Sequence, residues 1–281
     1  MQSLAQIRAL LAERGLRPKK SLGQNFLLDH NLITKLVDVS GASAGDVVLE
    51  VGPGTGALTH ELLERGCRVI AIELDDALAD MLTESIGAGP HAERFSLVRG
   101  DCLASKRALN RDAAAMLGER PFRLVANLPY HAATPLMLTL LADHAACSGL
   151  HVTIQREVAD RFAASSGDPA YGSVSIVAAC VAECERIAVL PPACFWPRPG
   201  VDSAMIALRR REIPFTDDAR HLAEFCQTMF ASRRKQIGPV LKKQGLSPAA
   251  WPDGAEPTMR IEQLSPRLVA ALAKAARPRP A

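Results

Sequence analysis

The stretch Val47-Val48-Leu49-Glu50-Val51-Gly52-Pro53-Gly54-Thr55-Gly56-Ala57-Leu58-Thr59 constrains the fold more than any other. Apolar residues run without a break except at Glu50, end in three alternating glycines, and pass into a helical pattern. Such a run reads as a strand buried on both faces. Gly52, Gly54 and Gly56 let the backbone turn sharply and let a neighbour approach where a Cβ would stand. Gly52, Gly54 and Ala57 fit the spacing G-x-G-x-x-A, the dinucleotide fingerprint. A tight strand-to-helix turn with no ligand fits the same residues, so the residues downstream must choose.

The pattern that follows is alternating. Strands are predicted at 68–73, 95–99, 122–126 and 150–155, with helices at 57–65, 76–86, 133–143 and 157–164 and a looser helical region to about 117. Before the glycine turn lie an amphipathic helix at 3–14, an irregular loop from Arg17, and a helix at 31–39 capped by Asp29. After it come an apolar helix at 173–182 and strands at 185–190 and 203–208, which form a hairpin at the sheet edge. Strands alternating with helices imply a parallel sheet covered on both faces, an α/β fold. Beyond Arg211 only helices are expected, at 217–232, 236–244 and 265–276. This gives a sheet domain over 1–211, a small helical domain over 212–276 and a disordered tail at 277–281.

In an open parallel sheet, ligands bind beyond the carboxyl ends of the strands. Four consecutive strands here end at Gly52, Glu73, Asp101 and Asn127. Each polar residue alone would be an ordinary helix cap; four in series describe a lined crevice. Glu73 stands 21 positions after Gly52, where an acid accepts both ribose hydroxyls of a nucleoside. Asp101 at the next strand end suits an adenine amino group. Ribose and adenine without a pyrophosphate describe S-adenosylmethionine, with the Gly52–Gly56 loop along its methionine portion.

Asn127-Leu128-Pro129-Tyr130 gives that crevice a reaction. Exocyclic adenine N6 is a poor nucleophile because its lone pair is delocalised into the ring. The Asn127 side-chain carbonyl and the Leu128 backbone carbonyl can accept its two hydrogens and favour the tetrahedral nitrogen that methyl transfer requires. Pro129 fixes φ and removes a backbone donor. Tyr130 offers a ring face for the base. A plain proline turn before a helix is the competing reading. Phe195, in a proline-rich loop beyond the same sheet, is expected either to close the other face of an extruded base or to be a core residue.

Composition narrows the class of protein. Seven cysteines, an odd number with no C-x-x-C, read as reduced thiols of a cytoplasmic protein. No run of 18 apolar residues and no histidine spacing of a metal site is present, so neither membrane nor metal is expected. Net charge is +3 but uneven. Residues 204–281 hold 14 Lys/Arg against 7 Asp/Glu, and residues 1–203 hold 19 against 23. A basic end suits a polyanionic partner, although a solvated basic face fits nearly as well.

With these residues in hand, the chain resembles the small-subunit ribosomal RNA adenine N6,N6-dimethyltransferases over about Leu16 to Leu272. The resemblance rests on Leu22-Gly23-Gln24-Asn25-Phe26-Leu27, Glu50 to Thr59, Ile72-Glu73-Leu74-Asp75, Gly100-Asp101, Asn127-Leu128-Pro129-Tyr130, Gln155-Arg156-Glu157-Val158 and Ala170-Tyr171-Gly172. It continues through Pro191-Pro192, Phe195, Pro197, Pro199, Val201-Asp202-Ser203, Arg233-Arg234-Lys235 and Arg260 to Ser265. It implies a Rossmann-like S-adenosylmethionine-dependent methyltransferase sheet with a small C-terminal helical domain. The implied activity is dimethylation of two adjacent adenosines near the 3′ end of 16S rRNA by a monomer acting on the immature 30S subunit. It further implies that segment 1–30 covers the cofactor, which makes Asn25 and Leu27 cofactor contacts beside Gly52, Gly54, Glu73, Asp101 and Asn127. It makes Arg233, Arg234 and Lys235 RNA contacts. Gly200 departs from the family, which often has a basic residue there, and His131 is a variable position. A large-subunit rRNA methyltransferase of the antibiotic-resistance branch, and a non-catalytic ribosome-assembly factor, are the alternatives; intact Glu73, Asp101, Asn127 and Tyr130 argue against the latter.

Overall fold

In the computed structural model, which describes residues 3–105 and 107–277, α1 (Leu4–Glu13) begins at a reciprocal cap. The Ser3 hydroxyl accepts from Gln6 N–H and Gln6 Oε1 accepts from Ser3 N–H, which satisfies two open helix donors. A 3₁₀ turn at Lys20–Leu22 and the short strand β1 (Phe26–Leu27) follow. Asp29 caps α2 (His30–Ser40), and Gly41 ends it at φ 63°. The alternating region then runs β2 (Val47–Val51), α3 (Ala57–Glu64), β3 (Arg68–Glu73), α4 (Asp76–Ser85) and β4 (Phe95–Arg99). A small antiparallel pair, β5 (Leu103–Ser105) and β6 (Ala108–Leu109), leads to α5 (Arg111–Leu117). Next come β7 (Phe122–Asn127), α6 (Tyr130–Asp143), β8 (Cys147–Gln155), α7 (Arg156–Ala163) and α8 (Ser173–Val181). The chain continues with β9 (Ala182–Leu190), β10 (Phe195–Trp196), β11 (Ser203–Arg210), α9 (Ala219–Phe230), α10 (Ile237–Lys243) and α11 (Pro266–Ala275).

Seven strands form the main sheet in the order β4-β3-β2-β7-β8-β11-β9. The pairs β2–β3, β3–β4, β2–β7 and β7–β8 are parallel. Strand order turns outward in opposite directions from β2 and β7, and an open sheet leaves a crevice at such a switch. Every residue of β2 is buried, which explains why its run is apolar but for Glu50. Leu36, Val48, Leu62, Leu63, Val69 and Val125 meet in the core of this layer. Ile7 and Leu11 of α1 are buried against Phe26, Leu78 and Met81. Each contributes about 1.5–3 kcal/mol on full burial, and together they dock the N-terminal helix.

The predicted strands and helices of the sheet are present, with two local differences. The looser helical region before 117 holds β5 and β6 and only then α5. The loop after Arg17 contains β1, which pairs antiparallel with β10, Phe26 against Trp196 and Leu27 against Phe195. Neither two-residue strand has a period of its own to read; each exists because its distant partner exists.

Two compact units are present. The first comprises the described residues to Leu140 with Ala146–Ala159 and Glu185–Leu208; the second comprises Leu141–Ala145, Asp160–Cys184 and the described residues from Arg209. A single cut at 211 does not describe them, because α8 packs with α9 and α11 inside the second unit. There the Tyr171 hydroxyl donates to the Leu264 carbonyl at 2.8 Å. Of the expected tail, Arg277 pairs with Asp217 at 2.7 Å, and residues 278–281 lie outside the described residues. Among the described residues no helix is long and apolar enough to cross a membrane.

Candidate active site

The carboxyl ends of the central strands open into one cavity. Gly52, Gly54, Glu73, Asp101, Asn127, Leu128, Pro129 and Tyr130 all line it, as do Asn25 and Leu27 from the N-terminal segment. The register explains the convergence: Val51 pairs with Ile72 and Ile72 with Val98, so the three strands end level. Gly52 and Gly54 take φ 71° and 59°. A Cβ on Gly52 would stand 3.1 Å from Pro129 Cγ, and one on Gly54 would stand 2.9 Å from the Phe26 ring. The glycine turn is therefore required by the protein's own packing as well as by any ligand.

Glu73 is 5% exposed. Its Oε2 accepts from Gly54 N–H at 3.2 Å and its Oε1 from Asp75 N–H at 2.9 Å. One bond to each oxygen leaves each with a further lone pair, the arrangement that receives two vicinal hydroxyls. Burial pushes the Glu73 carboxyl up, against the backbone donors, chiefly Asp75 and Gly54, that favour its charge. Asp101 is exposed at the end of β4 and accepts from Leu103 N–H at 2.9 Å. A buried twofold acceptor, an exposed carboxylate and an apolar floor of Leu27, Ile72 and Leu78 fit a nucleoside such as the adenosyl group of S-adenosylmethionine.

Asn127 ends β7, and its Nδ2 donates to the Asn25 carbonyl at 2.9 Å. A carbonyl only accepts, so this contact fixes which end of the amide is which. Oδ1 is left as the acceptor. The Leu128 N–H donates to the Thr153 carbonyl at 3.0 Å and the Pro129 carbonyl accepts from Ala132 N–H at 3.0 Å, which hold the turn into α6. The Tyr130 hydroxyl lies 2.7 Å from Ser203 Oγ, so the half-buried ring is tethered at its far end; burial pushes its phenol up.

The N-terminal segment is latched over the cavity. Asp75, the N-cap of α4, accepts from Lys19 Nζ at 2.8 Å and Gln24 Nε2 at 2.9 Å. Burial opposes the charge on Asp75, but these two donors outweigh it and hold the carboxyl below its ordinary value.

Phe195 requires a correction. It does not line the cavity: at 1% exposed it lies in the core beside Leu27, Leu190 and Met205, because the β1–β10 pairing sets it under Leu27. Of the two expectations for this residue, the core is where the structure puts it. Arg233, Arg234 and Lys235 lie in the turn between α9 and α10, not in a helix. Arg233 is engaged by Glu262, whereas Arg234 and Lys235 are exposed.

Glu50 was not singled out from the sequence, although an acid inside an apolar strand was the available signal. It lines the cavity, is 1% exposed, and accepts from Thr59 Oγ1 at 2.8 Å. Burial, partly offset by the Thr59 bond and reinforced by Glu73, pushes its carboxyl up to about 8. The Asp75 latch and the Ser203 tether were also invisible, since their partners are far apart in sequence. Among the described residues no group of three or more His, Cys, Asp or Glu can hold a metal.

Sheet order and cavity together define a Rossmann-like methyltransferase. Solved structures share that fold: a dimethyladenosine transferase from Plasmodium falciparum has TM-score 0.70 at 20% identity, covering 88% of this chain and 95% of that one. The 23S rRNA methyltransferase ErmE has TM-score 0.67 at 24% identity, covering 89% and 99%. Sequence carries the assignment further. The family model for ribosomal RNA adenine dimethylase matches residues 15–277. Ribosomal RNA small subunit methyltransferase A of Phenylobacterium zucineum is 38% identical, covering 93% of this chain and 89% of that protein. The protein of that name from Shouchella clausii is 37% identical, covering 96% and 94%. The chain belongs to the ribosomal RNA adenine dimethylase family.

Proposed function

We propose that this chain transfers methyl groups from S-adenosylmethionine to N6 of two adjacent adenosines near the 3′ end of small-subunit rRNA. In this reading it is a cytoplasmic monomer acting on the immature 30S subunit. The family membership supports the reaction, and the small-subunit relatives support the substrate. The observation that carries the mechanism is the Asn127 amide held by the Asn25 carbonyl.

S-adenosylmethionine, when bound, supplies an electrophilic methyl group on a good leaving group. Glu73 would hold its ribose, Asp101 its adenine amino group, and Asn25, Leu27, Gly52 and Gly54 would enclose the rest. Asn127 Oδ1 and the Leu128 carbonyl accept the hydrogens of the target amino group. This pulls the nitrogen towards a tetrahedral geometry and localises its lone pair, an interaction stronger in the transition state than in the ground state. Tyr130 carries the base on its ring, and the Ser203 tether fixes that ring. Pro129 stiffens the turn that aims Leu128. No strong general base is needed, because the proton becomes acidic once the nitrogen is quaternised. Alignment supplies much of the rate. Arg233, Arg234 and Lys235 would meet RNA phosphates, with Arg233 contributing least while it is engaged by Glu262.

Incubation with labelled S-adenosylmethionine and separately purified ribosomal subunits tests the reading. Label on small-subunit adenosines is expected; label on the large subunit would replace this function with that of the other branch.

A further inference from the structure

Residues 3–24 carry Arg8, Arg14, Arg17, Lys19 and Lys20 against the single acid Glu13, whereas residues 25–203 hold 14 Lys/Arg against 22 Asp/Glu. The N-terminal segment is thus a cationic strip on an acidic layer. Arg14 is engaged by Glu84 and Lys19 by Asp75. Among the described residues, Arg8, Arg17 and Lys20 have no carboxylate partner. Arg8 instead lies over the Trp196 ring, 5.3 Å from its centroid, and Trp196 is itself tilted against Phe26 at 6.3 Å. Beside this pair is a hollow of about 610 Å³ lined by Arg8, Leu11, Leu16, Arg17, Pro18 and Trp196. A second hollow shares Leu11, Leu16 and Arg17 with it and reaches Gln24 and Phe26, which line the main cavity. Gln24 and Phe26 are thus walls common to the second hollow and the candidate active site, and Arg17 is a cation common to both hollows.

An indole topped by a guanidinium, with further cations at hand, is a platform for a nucleobase and its phosphates. It carries few hydrogen-bonding groups that would read one base from another. The same cations oppose a basic peptide, and the apolar floor is more than a free anion needs. We propose that this groove holds a single-stranded nucleotide flanking the methylated ones. Its base stacks on the Arg8–Trp196 pair and its phosphate meets Arg17. The proposal rests on the rRNA reading above and adds a second RNA contact to the first unit, one that no family motif supplies.

The chain has two tryptophans, so Trp251→Phe leaves Trp196 as the single indole reporter. Titration of that full-length variant with an oligouridylate of about twelve nucleotides, within the span one such groove covers, is expected to quench its fluorescence. Trp196→Leu keeps an apolar side chain against Phe26 and is expected to weaken binding about tenfold, while Trp196→Phe keeps a ring face and recovers most of it. Arg17→Gln is expected to reduce the log–log salt slope by about 0.7, the loss of one phosphate contact to a single strand. Thermal melting of each variant confirms folding. No quench, or an affinity and slope unchanged in folded variants, overturns the groove. Methylation of small subunits by the unaltered chain is scored separately. If label appears there while the groove variants bind normally, the groove alone fails. If no label appears there, the function fails and the oligouridylate titration still judges the groove.

Discussion

Asn127 Nδ2 donates to the backbone carbonyl of Asn25 across 102 residues of sequence, at 2.9 Å. The contact joins the amide proposed to meet the target nitrogen to the segment that covers the cavity. It means that the segment must be in place before Oδ1 is aimed.

Asn127→Ala is expected to slow single-turnover methylation by roughly 10- to 100-fold, the worth of a lost hydrogen bond to a group gaining charge. Cofactor affinity is expected to change much less. Calorimetry beside rapid-quench kinetics separates the two. Lost cofactor binding with an unaltered chemical step would remove Asn127 from the reaction.

Glu73→Ala is expected to do the reverse. Loss of an ionised acceptor for two hydroxyls costs about 1.5–3 kcal/mol of cofactor binding. Glu73→Gln, which retains one acceptor oxygen, is expected to lie between. A dissociation constant unmoved in both variants would show that the ribose sits elsewhere.

Glu50 makes stability depend on pH. Its folded value of about 8 stands above the ordinary 4.5, so between these values the folded chain keeps a proton that the unfolded chain releases. Its contribution is full below pH 4.5, falls as pH rises, and is gone above pH 8. Urea midpoints at both ends of that window are expected to converge in Glu50→Gln relative to the unaltered chain. An equal difference in both proteins would mean that Glu50 is ionised throughout.

Asp75→Ala is expected to release Lys19 and Gln24 together. Amide exchange over residues 19–27 should quicken about tenfold or more, and cofactor should leave faster. Protection that survives the substitution would assign the closure of this segment to the β1–β10 pairing alone.

Alanine at Arg233, Arg234 and Lys235 is expected to flatten the salt dependence of small-subunit binding. With Arg233 engaged by Glu262, about two phosphate contacts are lost, a slope change of roughly 1.4–1.8. Subunit binding at several salt concentrations measures it, and an unaltered slope would place RNA docking elsewhere.

The sheet was legible because each of its strands signals locally. Val47–Val51 is apolar except at Glu50 and Gly52 stops it; Arg68–Glu73 and Phe122–Asn127 end in polar residues just where the cavity begins. Glu73 and Asn127 could be found because strand ends are positions that a sequence reveals. Phe26–Leu27 and Phe195–Trp196 could not be read as strands, since two residues define no period and their pairing is with each other. The burial of Phe195 follows from that pairing and was equally hidden. Helix α8 joined the second unit for a similar reason: an apolar helix shows that it will be buried, not against what.

The order of strands bears on how the chain emerges during its own synthesis. β11 is the last strand made, yet it lies between β8 and β9. Until Ser203–Arg210 is available, β8, nearly all of it buried in the finished protein, presents an open apolar edge with no neighbour on that side. Such an edge is a template for a second nascent chain. Any product that stops before residue 203 therefore carries an adhesive border, which one late insertion covers in the completed molecule.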